Sequence, residues 1–240
     1  MGRIERGYEH KFRALLRQIG AGKAEERIER LFRRARALVQ ANGKPMPDAL
    51  AQMFARSQKA VERWQKRRDA RTGVQSRSTG PEIAPHFLCD AGLGGLARWL
   101  RAAGYQARWK PDITDDALLR EARQTAAIVV TTDSMLLERR LLREGVIRAV
   151  WVPPSGSMTD QLEMVLRETG LRVREARCME CGGELDRVDK EELKERIPPR
   201  TYLWLHEYFL CRQCGKLFWH GTHWERIRAR LEQMRQRLAR

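Results

Sequence analysis

The architecture this sequence predicts is an α/β fold: a parallel sheet flanked by helices, with an N-terminal all-α helical domain before it and a zinc ribbon after it. Three observations predict it. Apolar residues recur at helical spacing through residues 3–70. From residue 86 onward, short apolar runs alternate with amphipathic stretches, the alternation of strand and helix that builds a parallel sheet. Near the C-terminus the cysteines fall in two tight pairs, Cys178-x-x-Cys181 and Cys211-x-x-Cys214. Each C-x-x-C turn offers two thiolates to one tetrahedral ion, so two turns fill its coordination sphere and make the zinc structural.

In chain order, Ile4, Tyr8, Phe12, Leu15 and Ile19 share one helical face, ended by Gly20 and Gly22. Ile28, Leu31, Phe32, Ala35, Leu38 and Val39 repeat the pattern up to Asn42-Gly43, and Leu50, Met53, Phe54, Val61 and Trp64 resume it after Pro45 and Pro47. Periodic apolar faces with these stop signals predict three short helices in a basic helical domain, residues 1–72. Their opposite faces carry Arg30, Arg33, Arg34 and Arg36, then Arg63, Lys66, Arg67, Arg68 and Arg71. Residues 73–85, rich in Thr, Gly, Ser and Pro, read as a linker.

The α/β domain is expected over 86–176. Its strands are Phe87–Cys89, Tyr105–Trp109, Ala126–Thr131 and Val146–Val152; its helices are Leu93–Ala103, Asp115–Gln124, Ser134–Arg143 and Met158–Glu168. The ribbon follows over 177–223. The gap between its cysteine pairs exceeds the usual ribbon spacing, so extra structure is expected there. A basic helix, 224–240, closes the chain. Cys89 has no partner in an apolar run and reads as a small buried hydrophobe.

The net charge is +16, and it is uneven: residues 1–82 hold 20 basic and 9 acidic side chains, the remainder 27 and 22. A pI near 10.4 points to a polyanionic partner, nucleic acid before anionic membrane, because clustered cations on phosphates release counterions. A solvated arginine-rich surface is the competing reading. No apolar run spans a membrane, and Met1 to Arg6 shows no signal-peptide pattern, so a cytoplasmic location is expected. In that compartment paired cysteines favour metal over disulfides, free or redox-active thiols being the alternative.

Acidic residues gather where strands should end. Asp90 ends the first strand, Asp115 and Asp116 open the helix after the second, and Asp133 follows the third. Ligands of an open parallel sheet collect outside the carboxyl ends of its strands. Singly, each acid also fits a helix N-terminus, Asp115 and Asp116 behind a Thr114 cap. Together on one rim they repel unless a cation lies between them, and Mg²⁺ or Mn²⁺ takes such hard oxygens.

The strings FLCDAGLGGLARWLRAAGY, DITDDALLREAR, IVVTTDSMLLERR, CMECGGELDRVDKEELKERIPP and CRQCGKLFWHGTHWERI occur in an order that resembles the Mut-seven C-terminal ribonuclease domain family, over roughly residues 86–227. The resemblance implies a PIN-like sheet followed by a zinc ribbon. It places Asp90, Asp116 and Asp133 at the acidic positions of a PIN-type Mg²⁺ or Mn²⁺ site, with Asp115 a neighbour able to substitute. It implies metal-dependent cleavage of RNA by an activated water, without a side-chain nucleophile. PIN nucleases often carry a fourth acid; after Val152 only Ser155, Ser157 and Asp160 stand in line, and Asp160 reads as a first-turn helix residue. The resemblance says nothing about residues 1–82.

Gly92-Leu-Gly94-Gly95-Leu-Ala97 also fits a dinucleotide-binding signature, with Asp112 about twenty residues on. Asp90 at the mouth of that loop would repel a pyrophosphate, and the glycines equally permit close helix packing. For RNA contacts, Trp219 and His220 on the last ribbon turn are candidates to stack unpaired bases, while most other rings of the ribbon read as its core. Arg139 and Arg140, beyond Asp133, are candidates for substrate phosphate or solvated helix residues. Arg33, Arg34, Arg67 and Arg68 are candidates for RNA backbone contacts. The expected function is a metal-dependent endoribonuclease acting on tRNA or rRNA. The rivals are a non-catalytic RNA- or ribosome-binding protein and a toxin-like protein with a cognate inhibitor.

Overall fold

A computed structural model describes residues 1–72 and 84–239. Most of the expected linker, residues 73–83, and Arg240 lie outside the described residues. The chain divides into two compact units, residues 1–83 with 131–153, and residues 84–130 with 154–240.

In the first unit, α1 (Arg3–Gln18), α2 (Ala24–Asn42) and α3 (Met46–Thr72) form the helical part. The chain turns after α1 and α2 through Gly20 and Gly43, both at positive φ (60° and 63°), a backbone region that glycine enters without steric cost. Phe12, fully buried, meets Phe32 and Phe54 edge-on at 6.0 and 5.8 Å. With 27 residues α3 is not short, since nothing between Pro47 and Thr72 breaks a helix.

The other side of α1 packs on β4 (Ala149–Trp151). Tyr8 meets the indole of Trp151 at 5.9 Å, and Gly7 lies so close to that ring that a Cβ there would fall inside it. Two polar residues, His10 and Lys11, join the buried face, with the Lys11 ammonium 5.3 Å from the Phe54 ring centroid and 5.8 Å from that of Trp151. The continuous helix expected over Ser134–Arg143 does not form. A 3₁₀ turn (Leu136–Glu138) is followed by α6 (Arg140–Arg143), with Arg139 between them at φ −57°, ψ 132°. At about 100° per residue, Leu136, Leu137 and Leu142 would point to three sides of one helix; the break lets all three be buried.

The four-stranded sheet has the order β2-β1-β3-β4, with β1 (Phe87–Cys89) parallel to both neighbours, β2 (Ala107–Trp109) and β3 (Ile128–Thr131). All residues of β1 and β3 are buried, as parallel strands covered on both faces require. β2, β3 and β4 are each shorter than their apolar runs. Ala126, for one, is the left-handed cap of α5 (Asp115–Thr125) rather than a strand residue. Tyr105 puts its ring edge-on to Phe87 and donates its hydroxyl to the Arg172 carbonyl at 2.6 Å. α4 (Gly94–Ala102) packs on α7 (Met158–Thr169). Cys89 is fully buried, and burial pushes its thiol up to about 12, which leaves it inert.

The zinc-ribbon part is an antiparallel sheet, β5 (Leu185–Val188), β6 (Tyr208–Cys211) and β7 (Leu217–Trp219), in that order. The long gap between the cysteine pairs holds a 3₁₀ segment (Glu191–Arg196) and α8 (Pro199–Trp204). α9 (Thr222–Leu238) buries Ile227, Leu231 and Met234 and reaches α7 through Arg237 and Glu163 at 3.2 Å.

Candidate functional site

The sheet places each acidic residue individually. Asp90 follows β1 directly: its N–H continues the ladder to the Val130 carbonyl at 3.0 Å, and its carboxylate accepts from the Ala91 N–H at 2.7 Å. Asp133 lies two residues past β3, half-buried. Its N–H donates to the Thr131 hydroxyl at 2.9 Å and its Oδ1 accepts from the Met135 N–H at 2.7 Å. The carboxylate is held by a local turn, not spent on capping a helix. Asp115 and Asp116 are exposed in the first turn of α5, behind Thr114, whose hydroxyl accepts from the Ala117 N–H. Asp160 does not supply a fourth acid of this kind. It closes a reciprocal cap with Ser157, whose hydrogen bonds hold its carboxyl below the usual range.

Two of the three glycines after β1 serve packing. A Cβ on Gly94 would come within 2.8 Å of the Trp109 indole, whose Nε1 donates to the Ala91 carbonyl at 2.7 Å, and one on Gly95 would run into Met158. This packing accounts for Gly94 and Gly95 without a dinucleotide, while a Cβ on Gly92 would meet nothing.

The structure brings Cys178, Cys181, Cys211 and Cys214 together, all four sulfurs lying within 4.8 Å of one another. Among the described residues no other three His, Cys, Asp or Glu side chains are gathered as a metal-holding group. The Cys178–Cys214 and Cys181–Cys211 sulfurs are 3.7 and 3.4 Å apart. Four sulfurs about 2.3 Å from a tetrahedral zinc would sit about 3.8 Å from each other, so the cluster fits the ion. The knuckle backbone is set for thiolates: Gly183 N–H points at the Cys181 sulfur at 3.4 Å, and Gln213 and Cys214 N–H at the Cys211 sulfur at 3.4 and 3.5 Å. Burial raises the Cys211 thiol, but the N–H groups of Cys214 and Gln213 outweigh it and bring it down to about 7. Burial raises Cys178 and Cys181; four thiolates this close need a cation to coexist. Gly183 sits at the crowded point, where a Cβ would meet the Cys211 sulfur at 2.9 Å.

Arg101 ties this cluster to the α/β layer. Buried at the end of α4, it donates to the Ala107 carbonyl at 2.7 Å and to the Met179 and Glu180 carbonyls of the first knuckle at 2.9 and 2.6 Å. Its charge also offsets thiolate charge. Sequence reading missed it; the available signal was an arginine one helical turn after Ala97, on the apolar face of the helix.

The basic candidates Arg33, Arg34, Arg67, Arg68, Arg139 and Arg140 are all exposed. Arg68 lies 5.1 Å over the exposed ring of Trp64, Arg33 pairs with Glu29, and Arg140 pairs with Glu144. Trp219 is 36% exposed. His220 is half-buried, its Nδ1 2.8 Å from Glu207 and its ring stacked on Trp224 at 5.6 Å. Trp204, a further ring of the ribbon segment, is 79% exposed at the end of α8.

The family model described as Mut7-C RNAse domain matches residues 85–231. No curated protein and no solved structure matches the chain.

Proposed function

The chain belongs to the Mut7-C RNAse domain family, and from that premise we propose that it is a metal-dependent endoribonuclease acting on structured RNA, tRNA or rRNA, in the cytoplasm. The observation that carries the reading is that Asp90 and Asp133 each follow the carboxyl end of a strand, and those two strands, β1 and β3, are parallel neighbours. The reading requires Asp90, Asp116 and Asp133, with Asp115 able to substitute, to share one Mg²⁺ or Mn²⁺, which takes such hard oxygens. When bound, such a cation supplies Lewis acidity and an activated water. The carboxylates hold and orient it, and no side-chain nucleophile is required. Arg139 and Arg140 offer charge to the scissile phosphate. The exposed Arg140–Glu144 pair is worth little on its own and exchanges readily for phosphate. Arg33, Arg34, Arg67 and Arg68 contact the RNA backbone away from the cut, and zinc on the four cysteines supports the ribbon.

One observation favours a second reading, a non-catalytic RNA- or ribosome-binding protein: Asp160 is tied into its helix cap and leaves no fourth acid after β4. Incubating purified tRNA and rRNA with the protein and Mn²⁺, beside Asp133→Asn, separates the two. The amide oxygen of Asn still accepts from Met135, so the turn survives while the charge is lost. Cleavage is expected to fall on the order of 10²-fold or more, the several kcal/mol a metal centre contributes. Equal cleavage by both forms would assign the activity to a contaminant and leave the binding reading.

A further inference from the structure

A second site lies on the ribbon. The register of β5, β6 and β7 puts Leu185, Phe209 and Phe218 on one face of that sheet, and this face is not closed over. It floors a cleft of about 800 Å³ completed by Met179 of the first knuckle and by Trp224 and Ile227 of α9. That volume is within the range of about 300–1,000 Å³ typical of ligand sites. On the ribbon's opposite face Tyr208 is fully buried and gives its hydroxyl to the Thr201 carbonyl. Phe209 and Phe218 are only half-buried, so the open face is not simply the core of a small sheet.

Its chemistry is specific. His220, anchored by Glu207, stacks on Trp224 with ring planes 11° apart and lies 4.6 Å from Phe209. The edge carries Arg98, Arg177, Lys216 and Arg228 against Glu175 and Glu180, and Lys216 neutralises Glu180 at 2.7 Å. Cation therefore remains in excess around an aromatic floor. The first turn of α9 opens here with no side-chain cap on Gly221, so its positive end adds to the same field. The indole N–H of Trp224 is buried without a hydrogen-bond partner among the described residues. An apolar peptide would use the floor but not the cations, and a duplex would use the cations but keep its bases stacked away from the floor. An unpaired nucleotide uses both, its base on the rings and its phosphates on the guanidiniums.

We propose that the ribbon cleft binds an unpaired nucleotide of single-stranded RNA, so that the protein takes its substrate at a junction of paired and unpaired segments. The proposal rests on the RNA-directed reading above. The test uses the full-length, zinc-loaded protein without added Mg²⁺ or Mn²⁺. A labelled single-stranded oligoribonucleotide and the same strand in duplex are titrated, following anisotropy and tryptophan fluorescence. The single strand is expected to bind with quenching. Phe218→Ala and, separately, the exposed Arg228→Glu are each expected to weaken it by about five- to a hundred-fold, with unchanged zinc content. Asp133→Asn is expected to bind it like the parent. Unchanged single-strand affinity in both cleft variants, or equal affinity for the duplex with the same sensitivity, would overturn the proposal. If the oligonucleotide binds as described but no RNA is ever cut, the cleft stands and the nuclease reading falls.

Discussion

The imidazole of His10 shows how one side chain ties α1 to the segment beneath it. It is buried and donates to the Ala149 carbonyl, and burial, aided by Arg17, Lys11 and Arg13, lowers its pKa from 6.5 to about 4. Between those values the unfolded chain holds the proton and the folded one does not. Stability is therefore full above pH 6.5 and falls as pH drops toward 4, by roughly 3 kcal/mol in all. His10→Gln, which retains a donor, is expected to flatten that part of the stability–pH curve in urea melts. Sequence could not announce this residue, because a histidine in a helical stripe carries no mark of what packs on it. The four cysteines were legible because metal chemistry dictates both residue type and local spacing. Asp133 was legible as an acid past a strand, but its turn was not, since that depends on the Thr131 hydroxyl accepting from the Asp133 N–H.

Gly7 sits within α1, where glycine costs about 0.5–1 kcal/mol relative to alanine. Its compensation is close packing on the fully buried Trp151. Gly7→Ala, favourable for an isolated helix, is expected instead to destabilise the protein by about 1–3 kcal/mol through overpacking, read as a lowered Tm. The zinc proposed for the ribbon acts in a different way. Cys214 is the exposed member of the set, so Cys214→Ser opens the coordination sphere without excavating a core. Loss of zinc is expected to abolish amide-exchange protection in β5–β7 while β1 and β3 stay protected; protected ribbon amides in a zinc-free protein would refute the structural role. Elements with one clear apolar face were readable in order, β1 and α5 nearly to the residue. The Ser134–Arg143 stretch was not, because its leucines point to three sides and only the packing decides where the helix breaks.

At the scale of the molecule, the proposal gives reach to the charge and chemistry to the sheet. The excess of basic residues is concentrated in 1–82, and among the described residues no helix is long and apolar enough to cross a membrane. RNA affinity is expected to fall linearly on a log–log plot against salt. Arg33→Ala with Arg34→Ala should flatten the slope by about 0.9 for each phosphate of a duplex RNA that the protein no longer neutralises, whatever the RNA sequence. The proposal that carboxylates from separate segments share one cation is the claim the account turns on. Titrating the zinc-loaded protein with Mn²⁺ and following free Mn²⁺ by electron paramagnetic resonance addresses it most directly. The account predicts saturable Mn²⁺ binding that is lost in each of Asp90→Asn, Asp116→Asn and Asp133→Asn with zinc retained. A parent protein that leaves all Mn²⁺ free, or three variants that bind it as the parent does, would contradict it.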